Sequence, residues 1–257
     1  MTKIGLGLCG GGILGAYEAG ILYELSDKIE FCCVSGASIG AINLSLFYGG
    51  GKQALYDFWH ESGSSLPDWM PTYLQLATLW FTGSKNFNSM RTDFWNIFFD
   101  GLYLTECTPL INALKKLIDI DKIKTLKKTA LFISATEFES GRGVIFSNQE
   151  IGFDEIAASF ATPEILPSVK INEKLYFDGG YTYNPALFPL VEQNVDEIWI
   201  ISMLSETGEV PKKLDELKHR VNEIIFNNNL NTEISFIEKL NEFSRKVPEL
   251  GKVYNPI

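Results

Sequence analysis

Lys3-Ile4-Gly5-Leu6-Gly7-Leu8-Cys9-Gly10-Gly11-Gly12-Ile13-Leu14-Gly15 and, a few residues on, Phe31-Cys32-Cys33-Val34-Ser35-Gly36-Ala37-Ser38-Ile39-Gly40 decide the fold of this 257-residue chain. Each stretch is a short apolar run that ends in a glycine-framed turn. Behind the first turn, Ala16, Ala19, Leu22 and Leu25 recur at helical spacing. Behind the second, residues 39–48 read as a helix that Gly49-Gly50-Gly51 should stop. Strand, turn and helix, given twice, open a parallel α/β sheet.

Further strands are expected at 130–135, 144–147, 175–177 and 197–202, with helices at 109–118 and 153–160. Two closing helices are expected, at 211–227 and 232–247. The first carries Leu214, Leu217, Val221, Ile224 and Ile225 on one side, so His219 should face solvent. Residues 57–103 differ in texture. They hold Trp59, Trp69, Trp80 and Trp95, and are broken by Pro67, Pro71 and Gly83. They read as a helical insertion or cap, serving either as ordinary core or as an acyl-chain groove or interfacial lid. With no repeat and no linker, the chain is expected to be one domain over 1–257, with the cap at 57–103 and C-terminal helices at 205–257.

Bulk chemistry narrows the function. A net charge of −10 gives no general attraction to nucleic acid or to anionic membrane surfaces. No run reaches the ~18–20 apolar residues of a transmembrane helix, and the glycine-broken start does not suit a signal peptide. The expected location is cytoplasmic, with export by a signal-independent route left open. Cys9, Cys32, Cys33 and Cys107 show no CxxC spacing, and two histidines make a zinc site improbable on ligand count. Cys32 and Cys33, adjacent in a strand, should point to opposite faces. No metal or cofactor is called for.

The chemistry centres on Ser38. Gly36-Ala37-Ser38-Ile39-Gly40 between a strand and a helix exposes a serine hydroxyl at the strand's carboxyl edge. A hydroxyl becomes a useful nucleophile only with a base. His219, His60 and Asp178 are the candidates. Asp178 ends a strand, before Gly179-Gly180, at the edge where α/β sites assemble. Gly10, Gly11 and Gly12, with the Ile39 N–H, can present backbone donors to an oxyanion. The spacing Gly10-x-Gly12-x-x-Gly15 also fits a dinucleotide fingerprint, but the second strand lacks its terminal acid, ending instead in the serine turn.

The ordered set of Gly10-Gly11-Gly12-x-x-Gly15, Gly36-x-Ser38-x-Gly40 and Asp178-Gly179-Gly180 resembles the patatin-like phospholipase family. Ala158-Ser159-x-Ala161-x-Pro163 and Asn184-Pro185 extend the likeness over roughly residues 3–202. The resemblance implies a three-layer α/β/α fold around a mostly parallel sheet. It implies a Ser38–Asp178 dyad without histidine, an oxyanion hole from the glycine run, and hydrolysis of acyl esters in phospholipids, lysophospholipids or neutral lipids through an acyl-enzyme. The alternative is a catalytically weak lipid-binding or partner-activated effector, for which an activating protein is unspecified. Leu14 stands where the family commonly has Arg or Lys, and Cys9 where it often has Asp or Ser. Contact with membrane is expected to be transient and to use zwitterionic or neutral lipid.

Overall fold

Both opening runs are strands, β1 (Ile4–Leu8) and β2 (Phe31–Gly36), and they pair in parallel. A computed structural model describes residues 2–64, 108–163, 166–212, 214–247 and 256–257. Its other strands are β3 (Ala130–Glu137), β4 (Gly143–Ser147), β5 (Val169–Ile171), β6 (Lys174–Asp178) and β7 (Glu197–Ile201). Hydrogen-bonded neighbours follow the order β5-β6-β3-β2-β1-β7, with β4 paired to β3. β7, β1, β2 and β3 are mutually parallel, whereas β4, β5 and β6 join antiparallel, so the sheet is mixed.

Alternation along the strands sorts side chains into two cores. Leu6, Leu8, Val34, Leu131 and Ile133 pack with Leu22 of α1 (Gly15–Leu25), Ile42 and Leu46 of α2 (Ile39–Ser64), and helices α3 (Thr108–Leu117), α4 (Ile120–Lys124) and α5 (Phe153–Phe160). On the other side, Cys33, Phe132, Ile198 and Ile200 meet Leu190 of α6 (Phe188–Val191) and Leu230 and Ile237 of α7 (Leu214–Lys246). Helices thus cover both faces of the sheet. Each fully buried Leu or Ile contributes roughly 1.5–3 kcal/mol.

Register fixes where β2 and β6 meet. β2 pairs with β3 at Ala130–Ile133, β6 pairs with it at Ala135–Glu137, and β4 spans Phe132–Thr136. Since β4 overlaps both of the others, it must hold one edge of β3 while β2 and β6 share the opposite edge. They run toward each other along it, and Ser134 lies at the gap. β2 ends at Gly36 and β6 at Asp178, so the serine turn and the aspartate arrive at one point.

Three local expectations change. α2 does not stop at the three glycines but runs through them, with a kink at Gly51 (φ 82°). Gly50 is there for close packing, since a Cβ would lie 2.1 Å from the Leu117 carbonyl oxygen. The closing helices are one, α7. Its Asn run is a contact face rather than a break, because Asn227 and Asn229 side chains donate to the Ser205 and Gly180 carbonyls. A register slip between Ile4/Gly5 and Phe31/Cys33 bulges β2 at Cys32, so the Cys32 and Cys33 sulfurs come within 3.9 Å instead of diverging. The three-residue strand β5 had no signal of its own in the sequence. The expected cap at 57–103 lies outside the described residues, apart from its opening, which continues α2 as far as Ser64. No described helix is long and apolar enough to cross a membrane.

Candidate active site

Ser38 sits between β2 and α2 with φ 53°, the left-handed region that non-glycine residues rarely occupy. Neighbours hold it there. Its N–H donates to Ser159 Oγ of α5 (3.2 Å), and its carbonyl accepts from the Ala41 and Ile42 N–H groups. The Oγ hydroxyl donates to Asp178 Oδ2 at 2.7 Å, joining residues 140 positions apart. Asp178 is fully buried and held at each of its polar atoms. Its N–H donates to Ala161 O, its carbonyl accepts from Thr136 Oγ1, Oδ1 accepts from Gly180 N (2.8 Å), and Oδ2 also accepts from Thr162 Oγ1 (2.8 Å). Burial pushes the carboxyl up to about 6, against the opposing pull of the Ser38, Gly180 and Thr162 hydrogen bonds. A carboxylate with that pKa is ionised at neutral pH yet basic enough to accept a hydroxyl proton during attack.

The glycine turn lies directly beside the serine: a Cβ on Gly10 would come within 3.0 Å of Ser38 Cβ. The Gly10 N–H, expected as an oxyanion donor, is instead committed to the Asn184 side-chain oxygen. That removes Gly10 from the donor set and gives it an anchoring part. Gly12 begins a 3₁₀ turn (Gly12–Leu14) and Ile39 begins α2. N–H groups in these first positions have no acceptor within their own helix. The positive end of α2 adds to the potential at Ser38. Beneath the turn, fully buried Glu18 accepts from Asn43 Nδ2 (3.2 Å), and Asn43 also donates to Gly15 O and accepts from Trp59 Nε1. This network ties α1, which follows the glycine turn, to α2, which follows the serine. Leu14 is half-exposed at the end of the 3₁₀ turn, and nothing in the structure explains its replacement of a cation.

A cleft of ≈ 470 Å³, counting its open mouth, joins Gly11, Gly12, Ser38, Thr162 and Asp178. Its other wall comes from Leu204 and from α7, which supplies His219, Asn222, Glu223 and Phe226. The placement of His219 corrects the sequence reading. Leu217, Val221 and Ile224 face outward, and the polar side of α7 is turned to the cleft. A second apolar stripe, Phe226, Leu230 and Ile237, is the buried side of α7, and hydrogen bonds add to its docking: Tyr181 OH donates to Asn222 Oδ1 and Asn229 donates to Gly180 O. His219 lies 3.5 Å from Glu223, not in the Ser38–Asp178 pair. His60 stacks on Tyr56. Thr162 carried no signal in the sequence beyond its place inside the Ser159–Pro163 segment. Among the described residues, no group of three or more His, Cys, Asp or Glu side chains is arranged to hold a metal.

The family model for patatin-like phospholipase matches residues 6–191, from β1 through α6. The chain belongs to the patatin-like phospholipase family. No curated protein sequence matches it. Among solved structures it is similar to VipD from Legionella pneumophila, with 17% identity and a TM-score of 0.46. That match covers 95% of this chain and 55% of VipD, so the chain spans about half of VipD's length. Five of the cleft residues named above, Leu204, His219, Asn222, Glu223 and Phe226, lie beyond the patatin-matching stretch.

Proposed function

We propose that this protein hydrolyses fatty acyl esters of phospholipids or lysophospholipids, with Ser38 as nucleophile and Asp178 as general base. The observation that carries the reading is the 2.7 Å hydrogen bond from Ser38 Oγ to a fully buried carboxylate, made by a serine in a strained turn. Asp178 Oδ2 takes the hydroxyl proton as Oγ bonds to the ester carbonyl carbon. The carbonyl oxygen, now negative, is held by the N–H groups of Gly11, Gly12 and Ile39. Collapse breaks the ester C–O bond, and protonated Asp178 returns its proton to the departing alcohol. A water deprotonated by Asp178 then attacks the acyl-Ser38 ester, the acyl C–Oγ bond breaks as Asp178 returns the proton to Oγ, and the fatty acid leaves. Every proton is carried by Asp178, so the chemistry needs no histidine. Contact with the lipid surface is transient in this scheme.

Hydrolysis of p-nitrophenyl butyrate by wild type, Ser38→Ala and Asp178→Asn tests the proposal, alongside labelling by a fluorophosphonate. Both variants should lose at least ~10²-fold in kcat, and only chains with Ser38 should label. Turnover equal in all three proteins would refute the dyad.

A further inference from the structure

Four aromatic rings run in sequence from the cleft to the protein surface. Phe226 and Tyr181 line the cleft with Ser38, and their rings meet edge-on at 5.2 Å. Tyr181 meets Phe177 of β6 at 5.5 Å, and Phe177 meets Phe138 at 5.7 Å, both edge-on. Exposure rises along the row, from 7% at Phe226 to 51% at Phe138. Leu175, two positions before Phe177 and so on the same face of β6, is 37% exposed and extends the apolar strip. The strip has a charged border, the Lys174–Glu137 ion pair. A contiguous apolar strip left open beside a polar rim marks a binding surface.

We infer that the fatty acyl chain of the substrate lies along Phe226, Tyr181, Phe177 and Phe138, with its ester carbonyl at Ser38 and its tail toward Phe138. This rests on the acyl hydrolase reading, which it deepens by assigning the two ends of the ester. An ester held at Ser38 must send an apolar acyl chain one way and a polar alcohol another. The cleft divides accordingly. Tyr181 and Phe226 open onto the aromatic row, whereas His219, Asn222 and Glu223 form a polar wall on α7 that faces the alcohol. The row ends at an exposed phenylalanine, where a tail drawn from a lipid surface would enter. Continuity with the serine selects an acyl chain as occupant over an unrelated apolar partner.

The test compares wild type with Phe177→Ser and Phe138→Ser, neither residue having a part in the chemistry. Two readouts are used: kcat/KM on p-nitrophenyl butyrate and p-nitrophenyl laurate, and fluorescence titration with cis-parinaric acid, a long-chain fatty acid. Phe177→Ser should lower kcat/KM for laurate at least ~10-fold through KM, the equivalent of about two buried methylenes, while butyrate stays within about twofold. Parinaric acid affinity should fall in parallel. Phe138→Ser should act the same way but less strongly, and it serves as the measure if Phe177→Ser does not fold. An unchanged laurate-to-butyrate ratio with unchanged parinaric acid binding overturns the inference. So does an equal fall on both esters in folded protein. A wild type that binds parinaric acid through these residues but cleaves neither ester would refute the hydrolase reading and leave the row standing.

Discussion

Asn in place of Asp178 should stop turnover and, at neutral pH, make the protein more stable. Burial lifts the Asp178 carboxyl from 3.8 to about 6. Each unit is worth about 1.4 kcal/mol, so keeping the carboxylate ionised in the fold costs ~3 kcal/mol at pH 7 and above. Asn has the same shape. Its oxygen can accept from the Gly180 N–H, and its amide can donate to Ser38 and Thr162 once those hydroxyls rotate. The sign follows from linkage. A group whose pKa is raised by folding leaves the fold unpenalised below its unfolded pKa and costs stability as pH rises through the folded value. The variant's advantage should therefore be full above pH ~7, shrink through pH 6, and vanish near pH 4. At ~2–4 °C per kcal/mol, Tm should rise by up to ~10 °C at pH 8. Thermal or urea unfolding of both proteins from pH 4 to 8 measures this, and every other titrating group cancels in the difference. A variant less stable than wild type at pH 8, or a gap that does not change with pH, would refute the claim that this carboxylate is held charged at a cost.

In the proposed mechanism the same carboxylate sets the acid limb of activity: kcat/KM on p-nitrophenyl butyrate should fall below a pKa of about 6, as the base is protonated. Thr162→Val removes a donor to Oδ2, so the limb should move to higher pH; a limb that stays in place would take Thr162 out of the site. At Glu18, burial pushes the carboxyl well above its usual range. Its contribution is therefore complete at low pH and lost as pH rises through the elevated value, so Glu18→Gln should unfold at or above the wild-type temperature and lose the alkaline sensitivity. Glu18→Leu leaves the Asn43 amide short of an acceptor and should cost ~1–3 kcal/mol by urea unfolding.

The parallel opening was legible in the sequence because each apolar run ended at a glycine turn with helical spacing behind it. Ser38 and Asp178 were legible as separate signals. Their contact was not, because it depends on β2 and β6 sharing one edge of β3, and no local pattern records which strands abut end to end. The base stayed open among Asp178, His219 and His60 until the family resemblance was weighed. The anchoring part of Gly10 is hidden for a similar reason: the turn is visible in sequence, but the Asn184 acceptor lies 174 residues away. α7 was turned the wrong way because Leu217, Val221 and Ile224 make the obvious apolar stripe. In the fold, the stripe of Phe226, Leu230 and Ile237 further along the helix is the buried one, and it turns His219, Asn222 and Glu223 to the cleft. Thr162, a single hydroxyl in a loop, has no pattern to announce it.

The meeting of β2 and β6 end to end on β3 also bears on when the proposed dyad can act. Ser38, the proposed nucleophile, belongs to a local strand–turn–helix unit of short-range contacts. The base arrives only when a segment of 140 residues has closed and the β5–β6 hairpin has docked, an event that carries its own entropic delay. On the proposed mechanism, a copy with the serine turn in place but β6 undocked holds a hydroxyl without its base. In the proposed mechanism, completion of the sheet is the step that brings a base to Ser38.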